Sequence, residues 1–330
     1  MKQSLYAPHT GKVPLRIEPV SGYLLPGSGE AYADCGTIRF KVTCEDCGHE
    51  FYTKNHCDRK ECPECYGTWA TKRANMAAER VWAAGALMTP TYYARHIVVS
   101  PPPGHHHSTF NDLLERTLMI VKRASTGSTG GMYVGHPWRF RDMHGGRLQW
   151  KHCCLNREAK EPVYEGVAVY EPHVHFIMFG WLMPANEFNK IFPGWVYNIV
   201  DKLGSREDTQ ACVRYLLTHA GVHERRHVVR WWGIVSYNNF MCIREETVVE
   251  YPLCPVCGGR LWAESLEGDY RERYSLIFTR RHFRFKVKQS RLVKERRFRY
   301  RVALSAWTNK RSGTWKGDLY IPSWCNGASG

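Results

Sequence analysis

The chain predicts an α+β protein: a small antiparallel sheet of the ferredoxin-like (split βαβ) kind, an N-terminal zinc-binding module and a basic C-terminal region. Three observations predict it. Segments of two-residue apolar period alternate with segments of helical period; Cys-x-x-Cys pairs sit near both ends; and basic residues interleave with aromatics between Arg280 and Arg301. The expected organisation is an arm over 1–40, a zinc module over 41–70, the α+β core over 71–236 and a basic tail over 237–330.

The arm is rich in Pro and Gly and has no periodic signal; Cys35 within it has no evident role. The module holds Cys44-x-x-Cys47, His56-Cys57 and Cys62-x-x-Cys65. Two such hooks make the thiolate cage of a structural zinc, and so small a module needs its metal to fold. Cys44, Cys47, Cys62 and Cys65 are the economical ligand set, with Cys57 or His56 as possible replacements for one of them.

A basic-sided helix is expected over 68–86. A strand follows over 93–100, stopped by Pro101-Pro102-Pro103-Gly104. Apolar residues at 110, 113, 114, 117, 118 and 121 predict a helix over 110–123. After a glycine loop at 127–131, strands are expected over 132–141 and 148–155. His105-His-His107 reads as an exposed loop, and His136 either lines a site or only packs.

The stretch 169–180 organises the core. Alternation on a strand points His173, His175, Ile177 and Phe179 one way, with Glu171 just ahead, and Val174, Phe176 and Met178 the other. A strand apolar on both faces is central in its sheet. Two imidazoles at its end form half of a metal site, or else a pair of satisfied core histidines. Residues 184–200 read as a helix broken at Pro193-Gly194. Ser205-Arg-Glu-Asp208 then predicts a helix start and Gly221 its C-terminal cap. Asp208, Cys212, Tyr215 and His219 share one stripe of that helix. A last strand is expected over 228–236.

In the tail, Cys254-Pro-Val-Cys257-Gly-Gly has the form of a zinc knuckle. Cys242 with His219, His223 or His227 could complete a second zinc site. Over 281–288, Phe283, Phe285 and Val287 face one way, while Arg284, Lys286 and Lys288 face the other, next to Arg281. Such a cationic strand suits phosphate contacts.

Composition narrows the partner. The 330 residues carry a formal net charge of +15, which favours nucleic acid first and an anionic membrane surface second. No window approaches the roughly 18 apolar residues of a spanning helix, and the N-terminus lacks the apolar core of a secretion signal. A soluble, cytoplasmic protein is expected. Thirteen cysteines, an odd number, suit metal rather than a disulfide framework. No phosphate-binding Gly-x-x-x-x-Gly-Lys-[Ser/Thr] loop is present, so no ATP-driven helicase is indicated.

Together, a divalent cation on His173, His175 and an oxygen ligand, with Glu171 the carboxylate on that face, could orient a phosphodiester for in-line attack by Tyr215. His219, one turn on, is placed to assist. The motifs carry a resemblance. Pro172-His-Val-His-Phe resembles the His-hydrophobic-His motif of HUH-superfamily endonucleases, Arg95-His-Ile-Val-Val-Ser100 their preceding strand motif, and Tyr215-Leu-Leu-Thr-His219 their tyrosine motif. With Gly135-His-Pro-Trp-Arg139 and the cysteine block, the chain is similar to replication initiators of archaeal plasmids and viruses. The zinc module is also similar to that of HUH-type transposases. The resemblance implies a Tyr215 nucleophile, a Mg²⁺ or Mn²⁺ cofactor beside structural Zn²⁺, and single-stranded or hairpin origin DNA as substrate. It also implies a host helicase and polymerase as partners. Many relatives have a lysine after the tyrosine where this chain has Thr218 and His219.

Overall fold

The computed structural model describes residues 17–88, 93–250, 253–265, 273–275, 278–287 and 318–319; for 241–250 and from 273 onward only the backbone is considered. In chain order the elements are β1 (Ile38–Cys44), β2 (Glu50–Lys54), α1 (Tyr66–Met88), β3 (Ala94–Ser100), α2 (Phe110–Ala124), β4 (Ser125–Arg141) and β5 (Val167–Leu182). There follow α3 (Ala185–Ile191), β6 (Val196–Leu203), α4 (Arg206–Leu217), β7 (Arg230–Gly233), β8 (Phe240–Glu250), β9 (Leu261–Ser265), β10 (Arg273–Ser275), β11 (Phe278–Val287) and β12 (Asp318–Leu319).

The central sheet has the order β6-β3-β5-β4-β7, and every pairing in it is antiparallel. Both β3 and β4 run against β5, so they are parallel to each other; α2 connects them and β5 lies between. β5 is central because it is apolar on both faces. One face carries Met132, Val134, Ile177 and Phe179 against α1 and α4; the other carries Ile97, Val99, Val174, Phe176 and Met178 against α2. The alanine face of α1 (Ala70, Ala74, Ala77) shares the first core with Val213, Leu216 and Leu217 of α4. Each of those α4 side chains is fully buried and contributes about 1.5–3 kcal/mol relative to exposure. Arg206 fastens the pair of helices through an ion pair to Glu79 at 2.9 Å.

A second sheet, β10-β9-β1-β2, joins residues near the two ends of the described chain, and a third has the order β12-β11-β8. The zinc module is therefore not confined to 41–70: its hairpin β1–β2 pairs through β1 with β9. Part of the expected arm is also built in. Tyr23 and Leu25 are buried in the second core, and the Trp138 indole N–H donates to the Glu18 carbonyl (2.7 Å).

Four local expectations are corrected. Residues 148–155 hold a single 3-10 turn (Trp150–His152) instead of a strand, because Trp150 turns inward beneath α4, where its indole donates to Thr218. The helix expected over 184–200 stops at Ile191; after Pro193 and Gly194 (φ +79°) the chain returns as β6, whose edge position explains its exposed apolar residues. Strand β4 begins at Ser125, running through the glycines. A Cβ on Gly131 would lie 2.2 Å from the Ile177 carbonyl, so only glycine lets β4 approach β5 there. At the end of α4 the cap is Thr218, and Gly221 instead donates its N–H to Gly135, tying the helix exit to β4. Among the described residues, no helix is long and apolar enough to cross a membrane.

Candidate metal centres

Histidine side chains gather on the α1/α4 face of the central sheet. His173 and His175 come from β5; His136 on β4 is the register partner of His173, and His96 on β3 the partner of Ile177. Residues opposite each other on antiparallel strands share a face, so four imidazoles line one patch. Helix α4 adds His219 and Tyr215. Its start is held by the Ser205 Oγ, which accepts from the Asp208 N–H at 2.9 Å, so the expected cap is realised.

The patch is tight. Ring centroids of His136 lie 4.4 Å from His175, 5.2 Å from His173 and 4.4 Å from His219. Tyr215 stacks edge-on against His219 at 4.8 Å and is 45% exposed, so the phenol forms the solvent side of the group. The nitrogens of His136, His173 and His175 lie within 4.8 Å of one another and could hold a metal ion. Their tautomers are constrained from behind. His173 Nδ1 is 3.1 Å from the Glu171 carbonyl, and His175 Nδ1 is hydrogen-bonded to His96 Nε2 at 2.8 Å. Both nitrogens of His136, Nε2 of His175 and Nδ1 of His219 are buried without a hydrogen-bond partner.

Burial sets the charge state. Desolvation pushes His173 and His219 down to about 3 and His96 to about 4, and holds His136 and His175 well below the ordinary histidine range. All five are neutral at pH 7, the form in which imidazole ligates metal. Burial raises the Tyr215 phenol, while the nearby Arg147 guanidinium works against that rise.

Glu171 does not join the three histidines. Its carboxylate accepts from Arg141 Nε at 2.7 Å and faces Arg139 Nε at 3.6 Å, because the register shifts there, with Glu171 and Pro172 together opposite Pro137, and the alternation that would align Glu171 with His173 is broken. His105–His107 form a turn after the prolines, with His105 packed edge-on against Trp195.

Eight cysteines form two further groups, Cys35 with Cys57, Cys62 and Cys65, and Cys44 and Cys47 with Cys254 and Cys257. The expected set of Cys44, Cys47, Cys62 and Cys65 is thus divided between them. Sulfur separations of 3.3–3.7 Å, such as 3.3 Å for Cys35–Cys65 and 3.7 Å for Cys47–Cys254, approach the roughly 3.7–3.8 Å of a tetrahedral site with Zn–S bonds of about 2.3 Å. Each group could hold a structural zinc. His56 stays beside the first, its Nδ1 3.7 Å from Cys65 Sγ.

The division has a local cause. Cys44-Glu-Asp-Cys47-Gly48 and Cys254-Pro-Val-Cys257-Gly258 are equivalent knuckles. In each, the glycine takes positive φ (+71° and +75°) and donates its N–H to the first cysteine's carbonyl. Cys62-Pro-Glu-Cys65 instead runs straight into α1: Tyr66 donates to the Cys62 carbonyl and Trp69 to that of Cys65. Two turned knuckles face each other, and the helical hook closes on the arm.

No family model, curated protein or solved structure matches the chain.

The second zinc was expected to draw on Cys242 together with His219, His223 or His227, but Cys44 and Cys47 complete its group. His219 belongs to the histidine patch, and the Cys242 side chain lies outside the described residues. The side chains of Arg281, Arg284 and Lys286, and the whole of Lys288, also lie outside them. His96 had no sequence signal beyond strand parity with Val98. Arg147 sits in an irregular connection with none at all.

Proposed function

We propose that this chain is a metal-dependent, tyrosine-type DNA endonuclease and strand transferase of the HUH kind, acting as a rolling-circle replication initiator on single-stranded or extruded hairpin DNA. One observation carries the reading: a half-exposed phenol is backed, through His219, by the neutral imidazoles of His136, His173 and His175, among which both nitrogens of His136 and Nε2 of His175 are buried without a protein partner. Each such nitrogen costs on the order of 1–3 kcal/mol when left unsatisfied, and ligation removes that cost. The strand order with β5 between β3 and β4 supports a ferredoxin-like core, and the net charge of +15 supports a polyanionic substrate.

The residues that would hold the catalytic cation are His136, His173 and His175. Bound there, the cation would supply charge neutralisation and orientation for a phosphate. An imidazole set without a carboxylate suits Mn²⁺ better than Mg²⁺, which prefers oxygen donors. Tyr215 attacks phosphorus as its phenol gives up a proton. The bond to the 3′ oxygen breaks, that oxygen takes up a proton, and the 5′ phosphate stays on the tyrosine. Arg147 favours the phenolate. His219, at about 3, is too weak a base to take the phenolic proton unaided, so its part is to position the phenol. The new ester retains the energy of the old one, so the step runs backward to rejoin strands.

The test is a denaturing-gel assay with end-labelled single-stranded oligonucleotides and Mn²⁺. Wild type should form a covalent protein–DNA adduct and Tyr215→Phe none. An adduct of wild-type yield from Tyr215→Phe would overturn the assignment.

A further inference from the structure

A cavity of about 180 Å³ lies away from the histidines, between α1 and the segment 226–237. It is smaller than the roughly 300–1,000 Å³ of a pocket for a drug-sized ligand, a size for one ring system. Trp69, Trp231 and Tyr237 form aromatic walls, and Tyr237 is 62% exposed, offering its ring to solvent. Arg80 holds those walls in place. Its Nε donates to the Val235 carbonyl (2.9 Å), and its guanidinium lies 5.0 Å from the Trp231 ring centre and 4.7 Å from that of Tyr237.

The rim is cationic. Arg73 on α1 and Arg226 opposite it both border the cavity, and among the described residues neither guanidinium has an ion-pair partner. The acid at the rim, Glu79, is taken by Arg206. Lys60, also bordering, is committed elsewhere, donating to the His223 and Arg226 carbonyls at 2.5 and 3.1 Å. Flat rings inside and two uncommitted planar cations at the mouth match a flat heterocycle that carries a phosphate.

We infer that this cavity receives one nucleotide of a single DNA strand, its base against Trp231 and Tyr237 and its phosphate between Arg73 and Arg226. The inference rests on the DNA reading above and adds a subsite to it. Helix α1, which lines the cavity, also packs on α4: the Arg214 Nε donates to Thr71 at 3.1 Å, next door to Tyr215. A strand anchored in the cavity is therefore held against the layer that carries the phenol.

The experiment is fluorescence anisotropy of a labelled twelve-nucleotide strand binding to the full chain in the Tyr215→Phe background, where no covalent capture competes. Arg73→Glu/Arg226→Glu should weaken binding about tenfold or more, and Tyr237→Ala about fivefold. A strand of the same length lacking bases should bind the parent more weakly than the normal strand by about the same factor, but bind Tyr237→Ala and its parent alike. Unchanged affinity of the normal strand in Tyr237→Ala, or a baseless strand that binds Tyr237→Ala about fivefold more weakly than it binds the parent, would overturn the inference. A phosphotyrosine peptide that displaces the DNA from this parent but not from Arg73→Glu/Arg226→Glu would assign the cavity to a protein partner and overturn it too. Adduct formation without any effect of the cavity variants sinks the subsite alone. Cavity effects without any wild-type adduct sink the nuclease reading instead.

Discussion

The histidine patch and the cysteine groups are both sets of potential metal ligands, but they are held in opposite ways. The imidazoles project from three paired strands and a capped helix whose cores are complete without them. The thiols of Cys44, Cys47, Cys254 and Cys257 sit on two knuckles at a small core of Val42, Cys44, Cys254, Leu261 and Ala263, and those of Cys35, Cys57, Cys62 and Cys65 on the arm and the loop that leads into α1. A scaffold that folds first can hold ligands in an unsatisfied state suited to chemistry. A scaffold with little core of its own takes its stability from the metal.

The largest effect expected from that contrast is at Cys62 and Cys65. Their joint change to Ser should remove one bound zinc, abolish the ordered start of α1 and cut soluble yield sharply. Structural zinc is worth about 10–16 kcal/mol in small modules, which matches or exceeds the roughly 5–15 kcal/mol that holds a whole domain together. Zinc content and a thermal melt check it; an unshifted melt would erase the distinction between the two kinds of centre. Next comes His136→Leu. It should lower Mn²⁺-stimulated adduct formation on the order of 100-fold, yet leave the metal-free melting temperature unchanged or higher, since two unpartnered nitrogens leave a fully buried position. A falling melting temperature with intact activity would make His136 a packing residue.

A third test uses pH. The folded-state values of the buried histidines lie below the unfolded reference near 6.5, so the unfolded chain takes up protons first as pH falls. Their contribution to stability is complete above about pH 6.5 and declines as pH drops toward 3–4. In buffer free of Mn²⁺ and Mg²⁺ but retaining zinc, His173→Asn should reduce the slope of unfolding free energy by about 1.4 kcal/mol per pH unit in that window. Denaturant titrations at several pH values measure it, and parallel slopes would show His173 to be protonated in the fold. The smallest effect is expected for Glu171→Gln. It weakens a partly exposed arrangement with Arg139 and Arg141, worth about 1 kcal/mol or less, and should leave adduct yield within about threefold. A loss as large as that of His136→Leu would restore Glu171 as a ligand.

What could be read from the sequence was whatever is encoded within a few residues. Strand parity put His173 and His175 on one face, and helical spacing put Tyr215 and His219 on one stripe. Ser205 and Asp208 marked the helix start. The rest depends on partners far along the chain. His136 acquires its place only when β4 pairs with β5, and Glu171 loses its place to Arg141. Trp150, apolar and in a plausible strand, is turned inward by a contact with Thr218. One missed feature did have a local sign. The glycine following Cys47 matches that following Cys257, whereas Cys65 is followed by Tyr66 and the helix, which marks the first and last hooks as a matched pair.

That matched pair has a consequence for synthesis. Cys47 and Cys254 are 207 residues apart. At about 5–20 residues per second the ribosome needs roughly 10–40 s to deliver the second knuckle after the first. Throughout that interval Cys57, Cys62 and Cys65 are already available, and they offer Cys44 and Cys47 a nearer but incorrect zinc. Cys35, emerging before all of them, lies 3.5 Å from the Cys62 sulfur and 3.3 Å from that of Cys65, so the four thiols of the first group are all synthesised long before the second knuckle.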